Sequence, residues 1–169
     1  MGLPSQLKNG NAWIDGDSFL GEFTKVNLGD LKEKTEKIRP GGVLGEIDTP
    51  MGIEQGEIEI TCAGLWSKII TRFGRAGVAS TLFRWQGAYQ EDVEGVVKAG
   101  ELVARGRIPE ASGGTAEIGA KTEQTGKLIW SYIRWSEDGR VLLEIDMLNC
   151  IYIVDGEDRY ADIRNAIGI

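Results

Sequence analysis

The chain has 169 residues, 24 of them glycine and only 4 proline, and a formal net charge of −7. That length fits one domain with a core of its own, and an acidic chain lacks the Lys/Arg excess that grips nucleic acid by releasing counterions. There is no histidine and there are two cysteines, Cys62 and Cys150, which removes His-based acid/base catalysis, Ser-His-Asp chemistry, most zinc sites and a Cys-x-x-Cys redox pair.

No catalytic residue, cofactor or metal site is therefore expected. The opening residues Met1 to Gln6 carry neither the basic and apolar regions of a secretory signal nor a myristoylation site. No stretch approaches the roughly 18 apolar residues of a membrane span. The expectation is a chain without a membrane anchor, made in the cytoplasm and kept there until something larger carries it out.

Asp15-Gly16 lies between the apolar pairs Trp13-Ile14 and Phe19-Leu20, a tight hairpin because Gly takes positive φ at no steric cost. Phe23, Val26 and Leu28 extend its second strand. From about Gly29 to Pro50 the chain is charged and punctuated by Gly and Pro, and it reads as a long loop, functional or disordered. A third strand follows: in Glu57 to Cys62 the residues Ile58, Ile60 and Cys62 share one face. Leu65, Trp66, Ile69, Ile70 and Phe73 fall at helical spacing with Gly74 as a C-cap, predicting a short helix over about 65–73 packed on a sheet.

The second half is strand-rich. Thr81 to Tyr89, Val96 to Ile108, Lys127 to Trp135 and Val141 to Met147 alternate or run apolar, and Asp138-Gly139 is a second hairpin signal. Alternation puts Trp130 and Tyr132 on one face and Trp135 on the other, as in a strand packed on both sides. Aromatics beside Arg134 also suit single-stranded nucleic acid, but the electropositive groove that reading needs is missing. Ile151 to Val154 forms a short strand ended by Asp155-Gly156, and Tyr160, Ile163 and Ile167 share a face of a helical C-terminal segment over about 157–169. Gly41-Gly42 and Gly113-Gly114 lack the strand-to-helix context of a phosphate loop.

Roughly seven or more strands predict a mainly β single domain over 1–169. It is an antiparallel sandwich or barrel with one short packed α-helix over an open side. Such a subunit has unpaired edges, and a head-to-tail ring pairs them with the next copy.

Several short pieces recur in one order: Asn9-x-Asn11, Asp15-Gly16-x-Ser18, Lys34-Thr35-Glu36, Arg39-x-Gly41-Gly42 and Met51-Gly52-x-Glu54. Near the end come Glu144-Ile145-Asp146, Asn149, Gly156-x-Asp158 and Arg164-Asn165-x-x-Gly168-Ile169. In these the chain resembles the major tail tube proteins of contractile-tailed phages and of phage-tail-like bacteriocins. The middle, about 75–126, matches only in strand order.

The resemblance implies hexameric rings that close one continuous barrel and stack into a hollow tube. It implies a conduit for genome delivery after sheath contraction, assembled in the host cytoplasm and carried in the virion. The implied partners are further copies of the chain, a tail sheath protein, a tape-measure protein and baseplate or terminator proteins, with DNA passing through the lumen unbound.

The long loop then gains a role: Lys34, Thr35, Glu36 and Arg39 are the candidate contacts between rings or neighbours, against the alternative of a solvated loop. Six copies at −7 each would carry about 42 net negative charges, which suits either a lumen that repels phosphate or an outer wall that meets a basic sheath. Cys62 and Cys150 read either as reduced thiols or as a possible disulfide within or between copies. Two rival readings stand beside this one. They are a ring or tube protein of a contractile injection system that carries effectors, and a small-ligand-binding β-barrel, which would need an apolar cavity and no self-assembly.

Overall fold

A computed structural model describes residues 2–169. β1 (Gln6–Ile14) turns at Asp15-Gly16, where both φ angles are positive, 50° and 89°, into the two-residue β2 (Asp17–Ser18). This mirror-image turn matches the right-handed twist of the strands it joins. The same Asp-Gly pairing closes two later hairpins, at Asp138-Gly139 and Asp155-Gly156. The first half continues through β3 (Phe23–Asn27), β4 (Glu33–Ile38), β5 (Ile47–Ile53), β6 (Glu57–Ala63) and the one-turn helix α1 (Ser67–Ile70). The second half is β7 (Thr81–Gln90), β8 (Val97–Ser112), β9 (Glu123–Glu137), β10 (Arg140–Asp146), β11 (Ile151–Val154), β12 (Glu157–Asp158) and α2 (Ala161–Ile167).

The main sheet is antiparallel and branched, in the order β12-β11-β10-β9-β8-β7-β1-β2, with β6 added to β9 and β3 added to β6. β9 makes the branch because one of its edges serves two strands: Glu123–Ile129 pair with β6, and Tyr132–Glu137 pair with β10. At the fork the Trp130 N–H donates to the Gly56 carbonyl at 3.3 Å, and the Met147 N–H donates to the Ser131 carbonyl at 3.0 Å.

Ser131 is the extra residue of a bulge, since Arg105 of β8 opposes Tyr132 and Gly106 opposes Trp130. The bulge changes the expected faces. Trp130 and Ile133 turn to the core, with Trp135 packed against it, while Tyr132 points to the opposite side. A one-residue slip exchanges the two faces of a strand, so alternation read straight through the bulge misplaces everything beyond it. Gly106 sits where β8 presses on β9: a Cβ there would stand 2.1 Å from the Ile129 carbonyl oxygen.

The core gathers between β1, β7, β8 and β9 on one side and β6 with α1 on the other. Ile14, Phe19, Ile58, Ile60, Ile69, Phe83, Leu128 and Trp130 are fully buried in it. Each large side chain taken out of water contributes about 1.5–3 kcal/mol. Trp85 stacks on Trp135 with ring centroids 6.0 Å apart.

Two expectations are corrected. The ladder stops at β3 and does not return to β1, so the subunit is an open branched sheet and not a closed barrel. The helix expected over 65–73 is the single turn Ser67–Ile70: of its predicted stripe only Ile69 is fully buried, Leu65 is exposed, and Phe73 leaves the helix to bridge to Ile108. The C-terminal segment is helical as expected, as α2, which ends at Gly168 with φ 80°, where glycine tolerates the left-handed cap. No helix among the described residues is long and apolar enough to cross a membrane.

Candidate assembly surface

The stretch expected to be a loop, 29–50, is mostly a β-hairpin. β4 and β5 pair with each other and with no strand of the main sheet, in the register Thr35↔Pro50, Glu36↔Thr49, Lys37↔Asp48 and Ile38↔Ile47. A bulge opposite Lys34 uses Gly52 at φ 120°. The hairpin escapes detection by periodicity because every residue of β4 is exposed, and a strand with two wet faces shows no apolar alternation.

Lys34, Thr35 and Glu36 lie on β4, and Arg39 opens the tip. All four are exposed. The structure brings them together on one projecting element, but it also shows a second set the charges had hidden. Ile38, Val43, Leu44, Ile47 and Met51 are exposed apolar side chains on the same hairpin, and Leu44 at the tip is 98% accessible. The signal was present in the sequence as apolar residues scattered through a charged stretch. An isolated two-stranded hairpin is marginal in water, and an exposed apolar cluster of this kind marks a contact surface.

The hairpin leaves the body where the Glu54 N–H donates to the Lys32 carbonyl at 2.9 Å. Beside this root lies a polar cleft of about 390 Å³ lined by Asn27, Asp30, Glu54, Glu57 and Glu59 among others. Among the described residues no group of three or more His, Cys, Asp or Glu is arranged to hold a metal ion.

A second unfilled feature is the seam between β1 and β3. β2 covers only Trp13 and Ile14, so the outer edge of β1 before them faces a cleft of about 540 Å³ with Leu7, Leu20, Phe23 and Trp85 in its walls. The rim of this seam is fixed by α1. Arg72, almost fully buried, donates from Nε to Asp15 Oδ2 at 2.9 Å, from Nη1 to the Lys68 carbonyl at 2.6 Å, and from Nη2 to Asp17. Lys68 Nζ donates to the Ser18 carbonyl at 2.7 Å and to Glu22 Oε1 at 2.8 Å. Burial pushes the Asp15 carboxyl up, but the Leu82 N–H, Arg72 and Arg75 more than offset it and hold the group below its ordinary value.

The solvent face of the main sheet is mixed in charge. Glu101 accepts from Arg84 at 2.7 Å and from Gln86 at 2.8 Å, and Arg134 approaches it at 3.5 Å. The Arg84 bond, against the opposing effect of burial, holds the Glu101 carboxyl below its usual value. Arg105 and Arg107 share this face with Glu144 and Asp146, and Lys127 stands on it among Glu57, Glu59 and Glu110, so its charges nearly cancel. The chain's acidic excess therefore lies elsewhere, around the turns and the hairpin root.

Both cysteines are free. Cys62 pairs with Gln124 at one end of β9, whereas Cys150 lies in the turn beyond Asp146, which pairs with Tyr132. Those positions are on the order of 20 Å apart along the strand, well beyond the ~7 Å Cα separation a disulfide spans, so the subunit does not bring the two thiols together. Burial pushes the Cys62 thiol up to about 11, with Glu22 adding to the shift and Lys68 opposing it. The thiolate is the reactive form, so at pH 8 only about one Cys62 in a thousand is armed. Iodoacetamide at pH 8 is expected to label Cys150 in the native chain and Cys62 only after unfolding, as mass spectrometry will read; equal labelling rates in the native state would contradict this.

The features together define an open, edge-bearing β protein with a projecting hairpin. Residues 4–168 match the phage tail tube protein FII family, and the chain belongs to it. It is 33% identical to the tail tube protein of Escherichia phage P2, over the whole of both chains. It is 30% identical to the major tail tube protein of Serratia phage KSP20, over all of this chain and 99% of that one. The chain is a structural subunit of a phage tail tube and a virion component.

Solved structures share the fold at low identity. One is the sheath-tube complex of the extracellular contractile injection system PVC in its extended state, with a TM-score of 0.57 and 11% identity over 78% of this chain and 90% of that one. Another is the tube-terminating cap of the anti-feeding prophage, with a TM-score of 0.58 and 12% identity over 80% and 93%.

Proposed function

We propose that this chain forms hexameric rings that stack into the inner tube of a contractile phage tail, as one domain, 1–169, without catalytic activity. The observation that carries the reading is the β4–β5 hairpin, which stands off the body with Ile38, Leu44 and Ile47 exposed and has no core of its own. Such an element gains its stability from a neighbour, and in a stacked tube the neighbour is the next ring or the adjacent copy. Lys34, Thr35, Glu36 and Arg39 set the register of that contact while the apolar residues supply its burial.

Within a ring, the open seam at β1 receives a strand of the next copy, so the barrel absent from one subunit is completed by six. The core and α1 fill one face of the main sheet, which leaves the Arg84–Glu101–Arg134 face to line the channel. The lining is then polar and balanced, letting DNA pass without specific binding, and the acidic excess faces outward or between rings, toward a sheath protein. A tape-measure protein occupies the lumen before ejection, and baseplate and terminator proteins close the ends. Proteins of similar fold stand in a sheath-tube complex, a sheath/tube terminator, a tube-terminating cap and a baseplate of contractile injection systems, which supports this set of partners. Both thiols remain reduced in the tube, since Cys62 is already enclosed by its own subunit.

Sedimentation and negative-stain electron microscopy of the purified chain test the assembly. Hollow tubes with six-fold end views are the expected result at tens of micromolar and near-physiological salt. Isolated rings favour the effector-carrying injection-system reading, and monomer alone would sink the proposal.

A further inference from the structure

The free edge of β1 carries a local device that the ladder itself does not need. The Asp15 N–H donates to the Leu82 carbonyl at 2.8 Å, which sets the phase of the β1–β7 pair. From Asn9 to Asp15, on the turn side of the bulge at Lys8, odd positions of β1 bond to β7, and the backbone groups of even positions point to the outer edge. Ala12 confirms the phase, because its carbonyl accepts the Phe19 N–H at 2.8 Å on that outer side. On the same side, the Gly10 N–H donates to Asn9 Oδ1 and the Ala12 N–H donates to Asn11 Oδ1, each at 2.8 Å.

The two bonds differ in setting. Asn11 is built into the fold: its Nδ2 donates to Ser18 Oγ at 3.0 Å, and the β1–β2 turn already covers this part of the edge. Asn9 is exposed and its Gly10 borders the open cleft beside Leu7, Leu20 and Phe23. An unpaired edge N–H is an invitation to any passing strand. A side-chain oxygen placed on it satisfies the donor without making a permanent partner.

We infer that Asn9 guards the β1 edge of the isolated subunit and gives up the Gly10 N–H to a strand of a second copy when subunits join. The inference rests on the ring-forming reading above and adds its regulation: the edge stays closed until a correctly seated neighbour, whose apolar side chains fill the cleft, offers a backbone carbonyl in place of the amide. A second copy is the occupant because the ladder ends on this side with one wall of a cleft and nothing in it, in a chain whose family builds tubes. The neighbouring Lys8, the extra residue of a bulge in β1, is tied to Asp92 Oδ1 at 2.7 Å, which holds the guarded stretch against β7.

The test compares the full chain with Asn9→Ala and Asn9→Asp by amide hydrogen exchange on the monomer and by the concentration at half-assembly in sedimentation. Asn9→Ala is expected to speed exchange at Gly10 about fivefold and to lower the half-assembly concentration about fivefold, as one unmasked hydrogen bond predicts. Asn9→Asp keeps an acceptor and is expected to leave Gly10 protected. Exchange at Gly10 that is identical in Asn9→Ala and the parent overturns the guard, and so does a half-assembly concentration that stays the same or rises. Protection at Gly10 in a parent chain that never associates overturns the second copy as occupant through failure of the ring reading, whereas association unaffected by Asn9→Ala overturns the guard alone.

Discussion

Replacing residues 34–52 with Asn-Gly is expected to leave a folded subunit that forms no tubes. The cut suits the structure because Glu33 and Ile53 are directly paired and the Glu54 N–H bonds the Lys32 carbonyl, so a two-residue turn joins the stumps without strain. Nothing in the removed segment belongs to the buried core, and Ile53, which packs against it, is retained. β4 and β5 bond only to each other, so their loss removes no ladder from the body. Circular dichroism and a melting temperature within a few degrees of the parent will show the fold intact, since shortening a surface connection changes closure entropy little. Electron microscopy reads the other half of the expectation. Long tubes from the shortened chain would show that the hairpin is not the grip between subunits.

Trp130→Ala is expected to cost about 3–5 kcal/mol, a large share of the 5–15 kcal/mol that holds an ordinary domain together. The side chain is 1% exposed and lies at the fork where β9 passes from β6 to β10. Its indole also abuts Gly56, where a Cβ would come within 2.8 Å of Nε1. Removing it opens a cavity where two branches of the sheet meet, and neighbours tied into separate ladders cannot collapse to fill it. Thermal unfolding should move down by about 10 °C or more. A shift of only a degree or two would mean that the fork does not depend on this side chain.

The three Asp-Gly turns and the long central strands were legible because they rest on local chemistry: glycine's tolerance of positive φ, and period-two burial where one face is dry. The strand of Ile58, Ile60 and Cys62 keeps its predicted face for the same reason. The hairpin of Glu33–Ile38 was not legible, because a strand exposed on both faces carries no alternation and its pairing with Ile47–Ile53 is held by backbone bonds that any side chain permits. The helix near Ile69 was over-read. Leu65 and Phe73 have helical spacing, but a single turn suffices once Arg72 and Lys68 tie it to the β1–β2 turn.

Sequence alone determined the mainly β class, the positions of the tight turns and, through the motif order from Asn9 to Glu54, the tail tube family. It also placed Lys34, Thr35, Glu36 and Arg39 in the segment that projects. Tertiary structure decided what those residues stand on and what lies beside them. It showed the hairpin with its exposed Ile38, Leu44 and Ile47, the fork at Trp130 and Ser131, the open seam at β1, and the separation of Cys62 from Cys150. The physical reason is range. Turn geometry and face alternation are written in neighbours along the chain, whereas a bulge, a branch or an unfilled edge depends on which distant strand takes each row of hydrogen bonds, and the backbone groups that form those rows are the same in every residue but proline.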